Sequence, residues 1–126
     1  MKETTQLTEA QQQQLNAFLK ALREGENKQV MDLFGAKPSA LVIASTHDAY
    51  VRDWEKTKKH MESNLAKGIF PPDTNKEFYA ELLRQTDLIM KEKLVRVQQM
   101  FEMLYGESLF NYLGTDGKRK RFLGIF

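Results

Sequence analysis

His47 and His60 are the only imidazoles in the chain, and there is no cysteine. A metal site built on them would need both to converge with carboxylates. Thirteen positions separate them on what reads as one helix, about 20 Å of rise and too far for one ion. They read instead as surface or capping histidines. The lack of cysteine excludes disulfides, thiolate zinc sites and cysteine nucleophiles. Acid–base chemistry needs two carboxylates in unlike environments. Glu77 and Glu81 share a helix face at i,i+4, but Arg84 follows three positions after Glu81. A first-turn acidic cluster favoured by the helix dipole accounts for them without catalysis. No GxSxG, P-loop, HExxH or GxGxxG pattern occurs, so nucleophilic, phosphate-binding and zinc-hydrolase chemistry lack their usual scaffolds. The expectation is a non-enzymatic protein with no cofactor and no metal.

Binding chemistry is more visible. Lys118, Arg119, Lys120 and Arg121 form a dense cationic run, followed at once by the apolar Phe122, Leu123, Ile125 and Phe126. The net charge is +2, and residues 115–126 carry four cations against Asp116, or +3, so the other 114 residues sum to 2 − 3 = −1. A nearly neutral body does not look like a general nucleic-acid binder. The cationic run would supply phosphate contacts, with Lys56, Lys58 and Lys59 as further cations. The apolar end predicts a docked segment, on the body or on another copy. Trp54 would serve as a stacking platform, but beside Tyr50 and Met61 at helical spacing it reads as a core anchor.

These residues must be positioned by helices. Thr8 and Gln11 have the spacing of a capping box, opening a helix with Leu15, Phe18, Leu19 and Leu22 at helical intervals and Gly25 as its stop. Gln11 to Gln14 lie on its solvated face. A short second helix is predicted from Asn27 as cap to Gly35 as stop. Ala40–Ser45, with Val42 and Ile43, fits either a buried helical turn or a strand, and nothing nearby offers a pairing strand. Ser45 and Asp48 suit the start of a helix ending at Gly68, and Pro71 and Pro72 break the chain. Thr74 and Glu77 predict another capping box.

The helix that follows runs over about 75–105 without glycine or proline. Phe78, Leu82, Ile89, Val97, Met100, Phe101 and Leu104 make its apolar stripe, widened by Leu83, Met90 and Leu94. Asp87–Lys91 and Glu92–Arg96 are i,i+4 ion pairs on the other side. Its length, roughly 46 Å at 1.5 Å per residue, exceeds the ~30 Å of a compact domain of this size. It must protrude, bend or be covered by a partner. Met90, Met100 and Met103 on its second half are adaptable contact side chains. Leu109 to Gly114 reads as a last short helix.

The segment "QMFEMLYGESLFNYLG" (99–114), through Phe101, Tyr105, Gly106, Glu107, Leu109 and Phe110, resembles the end of small helical tail-assembly chaperones of long-tailed phages. In those proteins a long helix runs into an aromatic-Gly-Glu turn and a short apolar helix. The resemblance covers about twenty residues and implies a non-enzymatic protein that binds tail tube or tape-measure subunits during assembly. It implies no catalytic residues.

The expected architecture is all-α: a small helical bundle or hairpin built on one long helix with short connecting ones. Residues 1–114 form a single helical domain and 115–126 a docked basic-apolar tail. No apolar stretch reaches the ~18 residues of a membrane span and the first residues lack a signal-peptide core, so a cytoplasmic protein without membrane contact is expected. The leading function is protein–protein interaction or self-association, as a phage-encoded assembly factor or an inhibitor of a host protein. It would act through Met90, Val97, Met100, Phe101, Leu104, Phe122, Leu123, Ile125 and Phe126. The alternative is a small nucleic-acid-binding protein using Lys118, Arg119, Lys120 and Arg121.

Overall fold

A computed structural model of the chain describes residues 7–72 and 74–114. They form four helices: α1 (Glu9–Gly35), α2 (Ala40–Lys67), α3 (Lys76–Tyr105) and α4 (Leu109–Gly114), with no strand among the described residues. The fold is all-α, as expected. Residues 115–126, including every tail position assigned to binding, lie outside the described residues.

Two predicted breaks are absent. Gly25 lies inside α1, so the helix expected to stop there and the short helix expected to start at Asn27 are one helix. A glycine inside a helix costs only about 1 kcal/mol relative to alanine. The next turn is held by α3: Glu26 pairs with Lys93 at 2.5 Å, Arg96 donates to the Asn27 side-chain oxygen, and Val30 is fully buried. At the far end Lys37, not Gly35, adopts the left-handed conformation, with φ 53°. Ala40–Ser45 is helical, so the α2 cap lies six residues before the predicted Ser45 cap. Ser39 caps it by accepting from Val42 N, while the Ser45 hydroxyl donates back to the Val42 carbonyl.

Other caps are closer to expectation. Thr8 and Gln11 make both bonds of a capping box, at 3.0 and 3.1 Å. Gly68 and Gly106 end α2 and α3 with φ of 74° and 72°, a conformation that strongly favours glycine. The start of α3 differs by one residue. Asn75 is the cap, accepting from Phe78 N at 2.8 Å, whereas the Thr74 hydroxyl donates to the Pro71 carbonyl at 2.6 Å. Thr74 is thus committed to the turn before the helix.

The long helices run up, down and up. α3 packs against both α1 and α2, and α4 folds back on α3. α1 is parallel to α3, with Arg23 meeting Glu92 and Asn27 meeting Arg96, both 69 positions apart. α2 is antiparallel, with Trp54 meeting Asp87 and His47 meeting Gln98. Expected pairing on α3 is met at Asp87–Lys91, 2.9 Å. The predicted Glu92–Arg96 pair is replaced by the contacts of both residues to α1.

The predicted mismatch of length disappears with the merged helices. α1, α2 and α3 have 27, 28 and 30 residues, so each is about 40–45 Å long. α3 is covered along its length by helices of this same chain. Its core lies in two parts. Leu15 and Leu19 of α1 meet Phe78 and Ile89 of α3. Towards the other end all four helices meet through Val30, Ile43, Ala44, Val97, Phe101 and Leu109.

Candidate functional site

Along α3, Ile89, Val97 and Phe101 are buried at helical intervals, and Lys93 sits between them with 4% exposure. Its ammonium reaches Glu26 Oε1 at 2.5 Å, Gln29 Oε1 on the next turn of α1, and the Tyr50 ring on α2, 3.7 Å from the centroid. One cation thereby joins three helices. Burial, and then the Glu26 carboxylate, push the Tyr50 hydroxyl above its ordinary value. No residue type marked this cluster in the sequence, except that a lysine falls on the apolar stripe.

Trp54 is buried and donates its indole N–H to Asp87 Oδ1 at 2.8 Å. Lys91 and Lys58 also approach the Asp87 carboxylate, at 2.9 and 3.4 Å. Burial raises the Asp87 pKa, but the bonds from Trp54, Lys91 and Lys58 outweigh it and leave the group below its ordinary value. Trp54 is therefore a polar-tipped core anchor. Lys58 faces Asp87, while Lys56 and Lys59 are exposed.

The histidines differ from expectation in one respect. His60 is exposed, but His47 is buried, with Gln98 Nε2 2.9 Å from its Nε2 and Phe110 edge-on at 6.1 Å. Helix α4 covers it from one side, and α4 lies 62 residues beyond it in sequence, where local pattern gives no warning. Among the described residues no cluster of three or more His, Asp or Glu side chains is placed to hold a metal ion. Glu77 and Glu81 line a recess of about 550 Å³ with Leu7, Gln12, Lys76 and Arg84. Arg84 grips Glu81 through two bonds, 3.1 and 2.6 Å, and holds its carboxyl below the ordinary range. Glu81 is thus an ionised partner of Arg84 and not a stored proton.

The predicted partner-contacting side chains separate into two groups. Val97 and Phe101 are fully buried among residues of this chain, so they hold its core and present nothing to a partner. Met90 and Met100 are half-buried, Met100 packing against the same core. Leu104 is 59% exposed. Phe122, Leu123, Ile125, Phe126 and the cations Lys118 to Arg121 lie outside the described residues.

Leu104 has company that the stripe did not reveal. Met103 is 84% exposed and Phe110 54%, and Tyr105, Leu41, Val42 and Met31 are exposed as well. All seven occupy the end of the bundle where α1 finishes, α2 starts and α4 folds back. The Tyr105 hydroxyl donates to the Pro38 carbonyl at 3.2 Å, tying the end of α3 to the α1–α2 turn. Segments 30–47 and 97–114, which build this end, carry Asp32, Glu102 and Glu107 against Lys37, a net charge of −2. The end is therefore apolar with a mildly acidic rim. No helix among the described residues is long and apolar enough to cross a membrane.

Compared with models of protein families, with curated proteins and with solved structures, the chain matches none.

Proposed function

We propose that this chain is a non-enzymatic protein–protein interaction module that binds through the apolar end of its bundle. The observation that carries the reading is the gathering of Met103, Leu104, Tyr105, Phe110, Leu41, Val42 and Met31 there, all exposed. Covering the free surface of Met103, Leu104 and Phe110 is worth about 1–2 kcal/mol each, since full burial of such a side chain yields about 1.5–3 kcal/mol. Three such contacts supply the apolar centre of a modest interface, and Glu102 and Glu107 belong to its polar rim. The resemblance of residues 99–114 to phage tail-assembly chaperones falls on this end of the chain. It extends the proposal to an assembly factor that holds a tail subunit, or to a phage-encoded inhibitor of a host protein.

The test compares the intact chain with a Met103→Asp/Phe110→Asp variant. Both positions are exposed, so circular dichroism should show an unchanged helical fold. The intact chain should run in solution above its 14.7 kDa monomer mass, or retain a defined partner that the variant releases. A monomer whose partners are all held equally well by the variant refutes the reading. Nucleic-acid binding is the alternative, through Lys118 to Arg121 with the exposed Lys56 and Lys59 as further cations. It predicts retention on DNA that falls steeply with salt and is abolished when the four cations of the run are neutralised.

A further inference from the structure

We propose that Met31 and Met103 are sites of reversible oxidation, and that oxidation there turns the apolar end polar. Only the consequence, release of whatever that end holds, rests on the interaction reading above. The chain has six methionines and no cysteine, so a peroxide finds no thiol and the thioether sulfurs are its targets. They are not equally placed. Met103 is 84% exposed and Met31 62%, whereas Met61, Met90 and Met100 are half-buried and Met100 packs against the core where all four helices meet. Met1 lies outside the described residues. The register that sets Asn27 against Arg96 brings Met31 level with Met100, about one helical turn from Met103. The two most exposed methionines among the described residues thus share one end of the bundle, the end where Leu104 and Phe110 are exposed as well.

Oxidation by a peroxide transfers one oxygen atom. The sulfur lone pair attacks one peroxide oxygen, and the S–O bond forms as the O–O bond breaks. The other oxygen leaves with the proton of the first, as water or an alcohol. Sulfur gives two electrons to the peroxide, and the charge of the side chain is unchanged. The product is a polar, chiral sulfoxide, which stereospecific sulfoxide reductases return to the thioether. At an exposed position the new oxygen is solvated, so the fold is little affected. Beneath a partner it must give up its water, and an apolar interface offers it no donor. The cost therefore falls on the complex, as an affinity loss of about tenfold or more. At Met100 the same change would disturb the core. Shielding there, with exposure at Met31 and Met103, separates a switch of the surface from damage to the fold.

The intact chain is treated with dilute hydrogen peroxide, and peptide mapping by mass spectrometry gives the oxidation rate at each methionine. Met103 and Met31 should react about tenfold faster than Met100, since susceptibility follows exposure. With these two oxidised, circular dichroism should be unchanged and retention on a hydrophobic-interaction column should fall. The two sulfoxide reductases together should restore retention. A Met31→Leu/Met103→Leu variant, compared with its own untreated sample, should lose no retention on treatment. Equal rates at Met31, Met103 and Met100 overturn the proposal. So does unchanged retention once both are oxidised, or a loss that persists in the leucine variant. The column needs no partner, so its result is separate from that of the interaction test. If the Met103→Asp/Phe110→Asp variant releases a partner, the oxidised protein should bind that partner at least about tenfold more weakly; equal affinity overturns the switch while leaving the interaction reading intact.

Discussion

The Lys93 cluster allows a prediction whose sign depends on which partner stays buried. Lys93 has 4% of its side chain exposed, while its partner Glu26 has 21% and Gln29 is exposed. Replacing Lys93 by methionine keeps the volume of the aliphatic stem. It frees Glu26 and Gln29, both close enough to solvent to rehydrate. The loss is then that of one charge-assisted contact net of solvation, about 1 kcal/mol. Replacing Glu26 by leucine strands the ammonium in the interior, with only Gln29 and the Tyr50 ring facing it. Breaking a buried pair from that side costs about 3 kcal/mol. The double variant Glu26→Leu/Lys93→Met leaves neither charge behind and should lie within about 1 kcal/mol of the parent, because apolar replacements of buried pairs are often neutral. The coupling between the two sites is then about 3 kcal/mol.

Urea unfolding followed by far-ultraviolet circular dichroism measures all four proteins. With a slope of about 1.5 kcal/mol per molar urea, the 2 kcal/mol gap between the single variants separates their midpoints by about 1.3 M. The slopes should agree, since each variant unfolds the same surface. Lys93→Met costing as much as Glu26→Leu would refute the reasoning. It would mean that water reaches the ammonium and that α1 does not seal it against α3.

Three further outcomes follow from the helix ends and the Asp87 site. Gly25→Ala should stabilise the protein by about 1 kcal/mol in the same urea assay, because Gly25 is helical and an added Cβ meets nothing within 4 Å; destabilisation would restore Gly25 as a break. Asn75→Ala should cost about 1 kcal/mol through loss of the α3 cap, and amide exchange should rise in the first turn of α3, at Phe78 N above all. Asp87 has its pKa lowered below 3.8 in the fold, so its bonds stabilise the protein fully above the unfolded value and are lost as pH falls through the folded one. Stability should therefore decline from about pH 5 downwards, and Asp87→Asn should flatten that decline without abolishing it, because Glu81 is lowered too.

What could be read in the sequence was local. Thr8 with Gln11, Gly68 and Gly106 mark helix ends by bonds and dihedral angles formed within four residues, and the structure places all three as expected. The misplacements share a different cause. Gly25 is carried through by Val30 and the Lys93 and Arg96 contacts, whose partners lie 64–69 positions away. Ser39 displaced Ser45, and Asn75 displaced Thr74, where two capable side chains compete within a few residues and the turn geometry decides. His47 is buried partly by α4, and Glu92 and Arg96 leave each other for α1. For the interaction surface the stripe gave Leu104 correctly as apolar, but an apolar periodicity does not say where the neighbouring helix stops. Phe101 and Val97 continue the same stripe one and two turns earlier and are wholly enclosed.

The two ends of the bundle show why that distinction matters. At the end where α2 finishes, Phe70 packs on Tyr79 with ring centroids 5.8 Å apart, and Ile69 beside it is exposed. At the other end the α1–α2 turn occupies only residues 36–39, too short to cover anything beyond itself. α4 supplies Leu109 and Tyr112 to Phe101 and leaves Met103, Leu104 and Phe110 outward. The length of α3, which on its own called for a partner, is matched by α1 and α2 and no longer argues for one. The case for binding therefore narrows to this end. Fold stability gives those side chains little to do, since exposed substitutions usually change it by no more than about 0.5 kcal/mol. If Met103→Asp and Phe110→Asp leave unfolding unchanged while self-association or a retained partner is lost, the apolar end is a binding surface and not an unfinished core.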